Sequence, residues 1–261
     1  MKLAVYQVDA FADNVFEGNP AAICPLNEWL TDSMMQSIAN ENNLSETAFI
    51  VPMEEGADYH IRWFTPVREV DLCGHATLAA AHILFSELGY AGKEISFLSH
   101  SGILKVMRND EWLEMDFPSQ PPVSAEIINV IQSAFDEKPA ECLRGQDHIV
   151  VFDHEDQVRN ADPDMNLLQE LDLRGVAITA KGDTCDFVTR FFAPKYGINE
   201  DPVTGSAFTQ LIPYWAQRTG KQNLVARQIS SRGGTVRCCL DKERVKISGK
   251  AVTYLAGRIE I

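Results

Sequence analysis

The sequence has no long unbroken run of apolar residues, and it lacks several other marks of specialised proteins. No stretch of about 18 or more apolar residues occurs, so we expect no membrane-spanning helix. The N-terminal segment has no basic region followed by a long apolar stretch, so we expect no signal peptide. None of the six cysteines forms a Cys-x-x-Cys pair, and we interpret them as free thiols of a cytoplasmic protein.

Basic residues are also few. The chain has 23 Lys and Arg against 37 Asp and Glu, which gives a formal net charge of -14. Because phosphate groups are bound by clustered cations, this balance argues against nucleic acid and anionic membranes as partners. The 261 residues are 45% hydrophobic, with no low-complexity tract or long linker, so we expect a compact chain with a large core.

Two segments of the chain resemble each other, RWFTP at 62–66 and RFFAP at 190–194. Each is a short aromatic strand that ends in proline. Each is followed by an acidic residue and then by a glycine that opens an apolar, helix-like run. The alignment pairs three positions: Cys73 with Thr204, Gly74 with Gly205, and His75 with Ser206. This order of features indicates an internal duplication.

Each repeat is followed by a predicted apolar helix. The first, at about 75–88, is apolar nearly all round, which is typical of an enclosed helix, and Gly89 is a natural stop. The second, at about 205–219, ends near Gly220 and contains Pro213, which predicts a kink.

Short alternating strands surround both helices, and too few full helices separate them for a Rossmann sheet. The pattern predicts an α+β fold of two pseudo-symmetric halves, each a curled sheet around one buried helix. We place the boundary in the segment 117–126, which gives halves of residues 1–118 and 119–261. An alternative is that the final strand, YLAGRIEI, crosses back and completes the sheet of the N-terminal half.

The start of each buried helix offers unpaired backbone N–H groups and the positive end of the helix dipole. Under two-fold symmetry the two helix starts can face each other across a cleft and hold a small anion such as a carboxylate. Gly74 and Gly205 would let a ligand approach the backbone closely. The sequence therefore favours a small carboxylated molecule as the partner.

The segment Cys73-Gly74-His75 admits several interpretations. A metal site is not expected, because no local carboxylate or thiol completes a ligand set with His75 and His82. A nucleophile pair needs converging side chains, and we expect those of Cys73 and His75 to point apart. A capping or buried imidazole and a small buried thiol remain open. A racemase with two thiols is excluded, because Thr204 stands at the second position.

Five motifs in the same order resemble the phenazine-biosynthesis PhzF-like isomerase family. They are GNPAA (18–22), NLSETAF (43–49), DLCGHATLAAA (71–81), EDPVTGSA (200–207) and ISSRGG (229–234). The resemblance covers most of the chain. It implies the diaminopimelate epimerase-like fold, in which each half is a mixed sheet curled into a barrel around a central helix, and it suggests a homodimer.

The family's proton-transfer carboxylate matches Glu46, which from the residues alone would be interpreted as a solvated acid at the start of a strand. Its substrate-binding residues match Gly74, His75, Asp201, Gly205 and Ser206. The resemblance thus implies a cofactor-independent isomerase, without metal, that moves a proton on a small carboxylated metabolite in the inter-domain cleft. Burial beside apolar neighbours is expected to raise the pKa of Glu46 toward the working pH. For Asp201, orienting His75 and binding a substrate amine or hydroxyl both remain open.

Two alternatives accompany this hypothesis: an amino-acid epimerase or racemase that uses Cys73, and a catalytically inactive metabolite-binding protein of the same fold. The epimerase relatives of the fold have cysteines at the positions that match Cys73 and Thr204. Because this chain keeps only one of them, isomerisation by a single base is favoured.

Overall fold

The computed structural model describes all 261 residues of the chain. They form two compact units, which we call the N-terminal unit (Met1–Asp116 with Ser248–Ile261) and the C-terminal unit (Phe117–Ile247). No helix is both long enough and apolar enough to cross a membrane. All six cysteines are free thiols.

The first 118 residues form eight strands and two helices. They are β1 (Lys2–Ala10), β2 (Asn19–Pro25), α1 (Asp32–Asn42), β3 (Glu46–Pro52), β4 (Tyr59–Phe64), β5 (Glu69–Val70), α2 (Gly74–Ser86), β6 (Glu94–Ser99), β7 (Gly102–Asn109) and β8 (Trp112–Pro118).

The remaining residues form ten strands, four helices and two short 3₁₀ turns. They are β9 (Val123–Ala125), α3 (Asn129–Ala134), β10 (Glu141–Arg144), β11 (His148–Val151), α4 (Glu155–Asn160), α5 (Met165–Gln169), β12 (Val176–Lys181), β13 (Phe187–Ala193), a turn at Pro194–Tyr196, β14 (Ile198–Asp201), a turn at Gly205–Ala207, α6 (Phe208–Thr219), β15 (Asn223–Gln228), β16 (Gly234–Asp241), β17 (Arg244–Gly249) and β18 (Ala251–Glu260).

In the N-terminal unit a mixed sheet surrounds α2. Strand β1 pairs antiparallel with both β18 and β2, β2 runs parallel to β3, and β3 pairs antiparallel with β4. Helix α2 contacts five strands of this unit: β1, β2, β3, β7 and β18. Its side chains are buried on every face from His75 to Phe85, with His82 and the final Ser86 the more accessible positions. The predicted enclosed helix is confirmed, because an all-apolar surface requires cover on all sides.

In the C-terminal unit the same pairing order recurs. Strand β11 runs parallel to β12, β12 pairs antiparallel with β13, and α6 packs on β15 and β16. The predicted start of this helix near 205 is wrong by about one turn, because residues Gly205–Ala207 form a 3₁₀ turn and the α-helix begins at Phe208. Pro213 lies inside α6, where its missing N–H leaves the Thr209 carbonyl without a helical donor. The backbone N–H of Gln120 donates to that carbonyl instead, at 3.0 Å.

The internal repeat has a structural counterpart in each unit. Arg62 on β4 forms two hydrogen bonds of 2.7 Å with the carboxylate of Glu69 on β5. Arg190 on β13 forms the same paired contact with Glu200 on β14, at 2.7 and 3.0 Å. Because both the strand pairing and the ion pair recur at aligned positions, the sequence similarity reflects a repeated structure.

Candidate active site

Glu46 is the first residue of β3, and His75 lies in the first turn of α2. Their side chains are 14% and 9% exposed, and Glu46 Oε2 lies 3.1 Å from His75 Nε2. The distance is that of an ion pair, and neither buried atom has a hydrogen-bond partner. The interpretation of Glu46 as a solvated acid is therefore wrong, because the fold encloses it against α2.

Cys73 and His75 converge, contrary to the expectation from sequence. Cys73 occupies the N-cap position of α2 with an extended backbone (φ -144°, ψ 107°), and its Sγ lies 3.5 Å from His75 Nδ1. The expectation fails because the chain changes from extended to helical at this residue, which turns the two side chains to one side. The imidazole thus stands between a thiol at Nδ1 and a carboxylate at Nε2.

These three residues also form a set of potential metal ligands that the sequence did not predict. The ligand atoms of Glu46, Cys73 and His75 all lie within 4.8 Å of one another. One ion binds only one nitrogen of an imidazole, yet the thiol and the carboxylate face different ring nitrogens of His75. The arrangement therefore suits proton exchange along a chain of groups better than a single metal ion. His82 lies apart from this set and contacts Thr253 Oγ1 at 3.0 Å.

The charge state of the site follows from burial and from these contacts. Burial alone would raise the pKa of Glu46, but the charge of His75 and the close contacts with His75 and Cys73 outweigh it, and the pKa lies below its ordinary value. The expected rise is therefore wrong in sign. Burial lowers the pKa of His75, but its contacts with Cys73 and with the Glu46 carboxylate outweigh burial, and the pKa lies well above its ordinary value.

The thiol of Cys73 behaves differently from its neighbours. Burial, supported by the charge of Glu46, raises its pKa to about 11, so it is protonated at neutral pH. The site then consists of a carboxylate and an imidazolium beside a neutral thiol. A carboxylate in this state is ready to accept a proton, and the imidazolium is able to stabilise nearby negative charge.

Gly74, the first residue of α2, precedes His75 directly. A Cβ built on Gly74 would meet only the methyl carbon of Met115, at an ordinary contact distance of 3.9 Å. The protein therefore leaves space beside the backbone at this helix start.

The C-terminal unit brings Asp201, Gly205 and Ser206 together in one turn between β14 and α6. Asp201 accepts a hydrogen bond of 2.6 Å from the hydroxyl of Thr204, whose backbone N–H donates to Gln228 Oε1 at 2.9 Å. Gly205 is buried, and Ser206 is partly exposed. The turn is thus held by side-chain hydrogen bonds.

Arg174 is a polar residue of this region that the sequence motifs did not indicate. Its Nη1 donates to Ser206 Oγ at 2.9 Å, while Nε and Nη2 donate to the fully buried carboxylate of Asp147 at 2.9 and 2.7 Å. An alignment of LSETAFIV (44–51) with LRGVAITA (173–180) would have placed Arg174 next to the position that corresponds to Glu46. The strand register supports this alignment.

That register shows which residue of the C-terminal unit corresponds to Glu46. The pairs that fix it are Thr47 with Phe64 in one unit and Val176 with Phe192 in the other. One residue earlier, Glu46 corresponds to Gly175. A Cβ at Gly175 would lie 2.6 Å from Cζ of Phe191 and 2.8 Å from a backbone oxygen, so no side chain fits there without rearrangement. At this position of the repeat, therefore, only the N-terminal unit has an acidic residue, Glu46.

Comparisons with known proteins agree with this architecture. The family model described as phenazine biosynthesis-like protein matches residues 8–257. An uncharacterized isomerase of Pseudomonas aeruginosa is 49% identical over 261 residues, with 100% of both chains covered. A crystal structure of a PhzF-family phenazine biosynthesis protein from Enterococcus faecalis has a TM-score of 0.97 and 46% identity, with 100% of both chains covered.

A more distant likeness concerns the fold alone. A hydroxyproline epimerase of Agrobacterium vitis is 11% identical, with a TM-score of 0.63 over 99% of this chain and 92% of that one. The predicted α+β fold of the epimerase-like type is confirmed by these structures. The chain belongs to the phenazine biosynthesis-like PhzF family of isomerases.

Proposed function

We propose that this chain is a cofactor-independent isomerase that moves a proton on a small carboxylated metabolite, with Glu46 as the general acid and base. The observation that carries the proposal is the buried pair of Glu46 Oε2 and His75 Nε2, which lie 3.1 Å apart with no hydrogen-bond partner. Buried polar atoms in proteins are normally hydrogen-bonded. Two unpartnered atoms side by side are therefore arranged for the atoms of a ligand.

The proposed reaction uses the charge states derived above. The Glu46 carboxylate takes a proton from a substrate carbon, so that a C–H bond breaks, an O–H bond forms, and the electron pair stays in the substrate's conjugated system. Glu46 then returns the proton to another carbon of the same molecule. Because the pKa of Glu46 is lowered, it is a weak base, and the reaction depends on stabilising the intermediate negative charge.

The remaining residues of the predicted site have binding roles in this proposal. His75 as an imidazolium stabilises the intermediate, Gly74 leaves room for close approach of the substrate, and Gly205 contributes backbone to the turn before α6. Asp201 and Ser206 supply further polar contacts. That the residues of the C-terminal unit bind the same substrate as Glu46 stays a prediction, as do a homodimeric assembly and a cytoplasmic location.

The absence of a second acid and a second thiol favours one-base isomerisation over two-base racemisation. Gly175 occupies the position that corresponds to Glu46, and Thr204 the one that corresponds to Cys73. The Thr204 hydroxyl is engaged with Asp201 at 2.6 Å and is a poor base at neutral pH. A single group that takes and returns the proton accounts for this asymmetry.

The proposal is tested by incubating the enzyme with a panel of small unsaturated carboxylates in heavy water. We expect at least one compound to gain deuterium at carbon, detected by mass spectrometry and ¹H NMR, because the proton held by Glu46 exchanges with solvent before its return. Exchange with none of a broad panel would contradict the proposed activity.

Replacing Cys73 with alanine is expected to leave the exchange rate close to that of the wild type. The thiol, with a pKa of about 11, is neither a base nor a nucleophile at neutral pH. Time courses of deuterium incorporation measure the effect. Cys24→Ala, which removes another buried thiol in the same unit, is the matched control. A loss of exchange in Cys73→Ala but not in Cys24→Ala would favour the epimerase alternative.

A further inference from the structure

In the C-terminal unit, the buried carboxylate of Asp147 fixes the orientation of the Arg174 guanidinium. The carboxylate of Asp147 is fully buried and accepts two hydrogen bonds from Arg174 and a third, of 2.7 Å, from Gln210 Nε2. Gln210 in turn accepts from the backbone N–H of Asp147 at 3.2 Å. A paired contact of this kind holds the plane of a guanidinium in one orientation. Arg174 is 36% exposed, so its other edge is accessible.

The contact between Arg174 and Ser206 determines what Ser206 is able to offer. Arg174 Nη1 donates to Ser206 Oγ at 2.9 Å, so the hydroxyl oxygen acts as an acceptor in this bond. A hydroxyl that accepts one hydrogen bond still has its own hydrogen to donate. Ser206 therefore keeps its donor hydrogen, which an acceptor group of a ligand is able to bind.

Three hydrogen-bond donors remain at this place, close to the Asp201 carboxylate. The two terminal nitrogens of Arg174 carry four N–H bonds, and the contacts above use two of them. Together with the Ser206 hydroxyl, three donor hydrogens remain beside a guanidinium that is 36% exposed and whose charge is paired with Asp147. The ring of Phe191 lies 5.4 Å from the guanidinium carbon and covers one of its faces. A planar anion with two oxygens matches such a set of donors.

The strand register gives this cluster a place in the repeat. Arg174 corresponds to Ser45, the residue before Glu46, and Ser206 corresponds to His75. A strand start and a helix start thus hold an acid and an imidazole in one unit, and a guanidinium and a hydroxyl in the other.

We propose that Arg174 binds a carboxylate of the substrate, with Ser206 as a second donor and with Asp147 and Gln210 as positioning residues. This inference rests on the proposed function and deepens it, because it names the residue that selects carboxylated substrates. Asp147 and Gln210 do not touch the ligand; they fix the guanidinium that does.

The test uses benzoate as the carboxylate probe and benzamide as its neutral counterpart, both added to the Glu46→Gln enzyme, in which proton transfer is expected to be slow. Calorimetric titration should show benzoate binding that weakens by about 10- to 100-fold in Arg174→Lys, because a lysine cannot reproduce the paired hydrogen bonds. Binding of benzamide should not change. Arg144→Gln, which removes an exposed arginine of the same unit, is the control for charge alone.

Because the loss of Arg174 leaves the buried Asp147 charge without its partner, a double variant Arg174→Gln/Asp147→Asn is measured as well, and it should weaken benzoate binding equally. In ¹⁵N spectra of arginine side chains, benzoate should shift the Arg174 resonances. Unchanged affinity in both variants, unmoved Arg174 resonances, or no benzoate binding to the enzyme would overturn the inference. Exchange that depends on Glu46 with unchanged KM in Arg174→Lys would overturn it while leaving the proposed function intact.

Discussion

Replacement of Glu46 by glutamine is expected to slow proton exchange by about 10²- to 10⁴-fold, the range that a positioned acid or base contributes. Glutamine has nearly the same shape as glutamate, but its amide is unable to take up and return a proton. The rate is measured as deuterium incorporation into whichever carboxylate of the panel the wild type accepts. Wild-type exchange in Glu46→Gln would remove the central residue of the proposed mechanism.

The control for this variant is Glu94→Gln, which neutralises an acid of the same unit that pairs with Lys105 and is 40% exposed. Exchange should not change, because surface ion pairs contribute little and this one is not part of the site. Thermal denaturation of both variants shows that the fold is retained.

A second readout of Glu46→Gln needs no substrate. The pKa of His75 is raised in the wild type because its contacts with Cys73 and with the Glu46 carboxylate outweigh burial. Glutamine removes the Glu46 charge, and the thiol of Cys73 is neutral at neutral pH, so the pKa of His75 should fall. An NMR titration of the imidazole follows this change. It distinguishes a disrupted ion pair from a general loss of structure.

Much of the fold is predictable because its causes are local. Helix α2 is apolar nearly all round, so it must be enclosed by other elements. The similar segments at 62–66 and 190–194 form the same kind of strand with the same ion pair. The start of α6 is less predictable. A 3₁₀ turn precedes the α-helix. The Thr209 carbonyl, which Pro213 leaves without a helical donor, accepts from the backbone N–H of Gln120, a residue distant in the sequence.

The sequence names candidate site residues but not their charge states. The resemblance names Glu46, yet the sign of its pKa shift depends on His75, which is 29 residues away along the chain and adjacent only in the fold. Likewise, Arg174 lies in no motif, since its role arises from contacts with Asp147 and Ser206 across the C-terminal unit. Patterns of sequence report on burial and local geometry, whereas charge states depend on neighbours that only the tertiary structure defines.

Replacement of His75 by asparagine is expected to reduce exchange by about 10²-fold and to move its acidic limb to higher pH. In the wild type the pKa of Glu46 lies below 4.5 and that of His75 above 6.5, so both groups are charged between these values. The pH profile of kcat/KM should be flat across that interval. Without His75, burial becomes the dominant influence and raises the pKa of Glu46, so the carboxylate form is lost as pH falls through the interval.

The charge states of Glu46 and His75 also affect the pH dependence of the free energy of unfolding, which is measured without a substrate. In the wild type, the lowered pKa of Glu46 contributes stability above pH 4.5, which is lost as pH falls through the pKa of the folded state. The raised pKa of His75 contributes stability below pH 6.5, which is lost as pH rises through its folded value. In His75→Asn the shift of Glu46 reverses, so the free energy of unfolding should increase as pH falls toward 4.5.

Chemical denaturation at several pH values measures this change, with His82→Asn as the control, since His82 contacts Thr253 and lies outside the pair. An acidic limb that stays in place in His75→Asn would mean that Glu46 does not depend on the imidazole for its charge. The buried acid and base would then be independent groups, and the basis for a carboxylate held ready by an imidazolium would be lost.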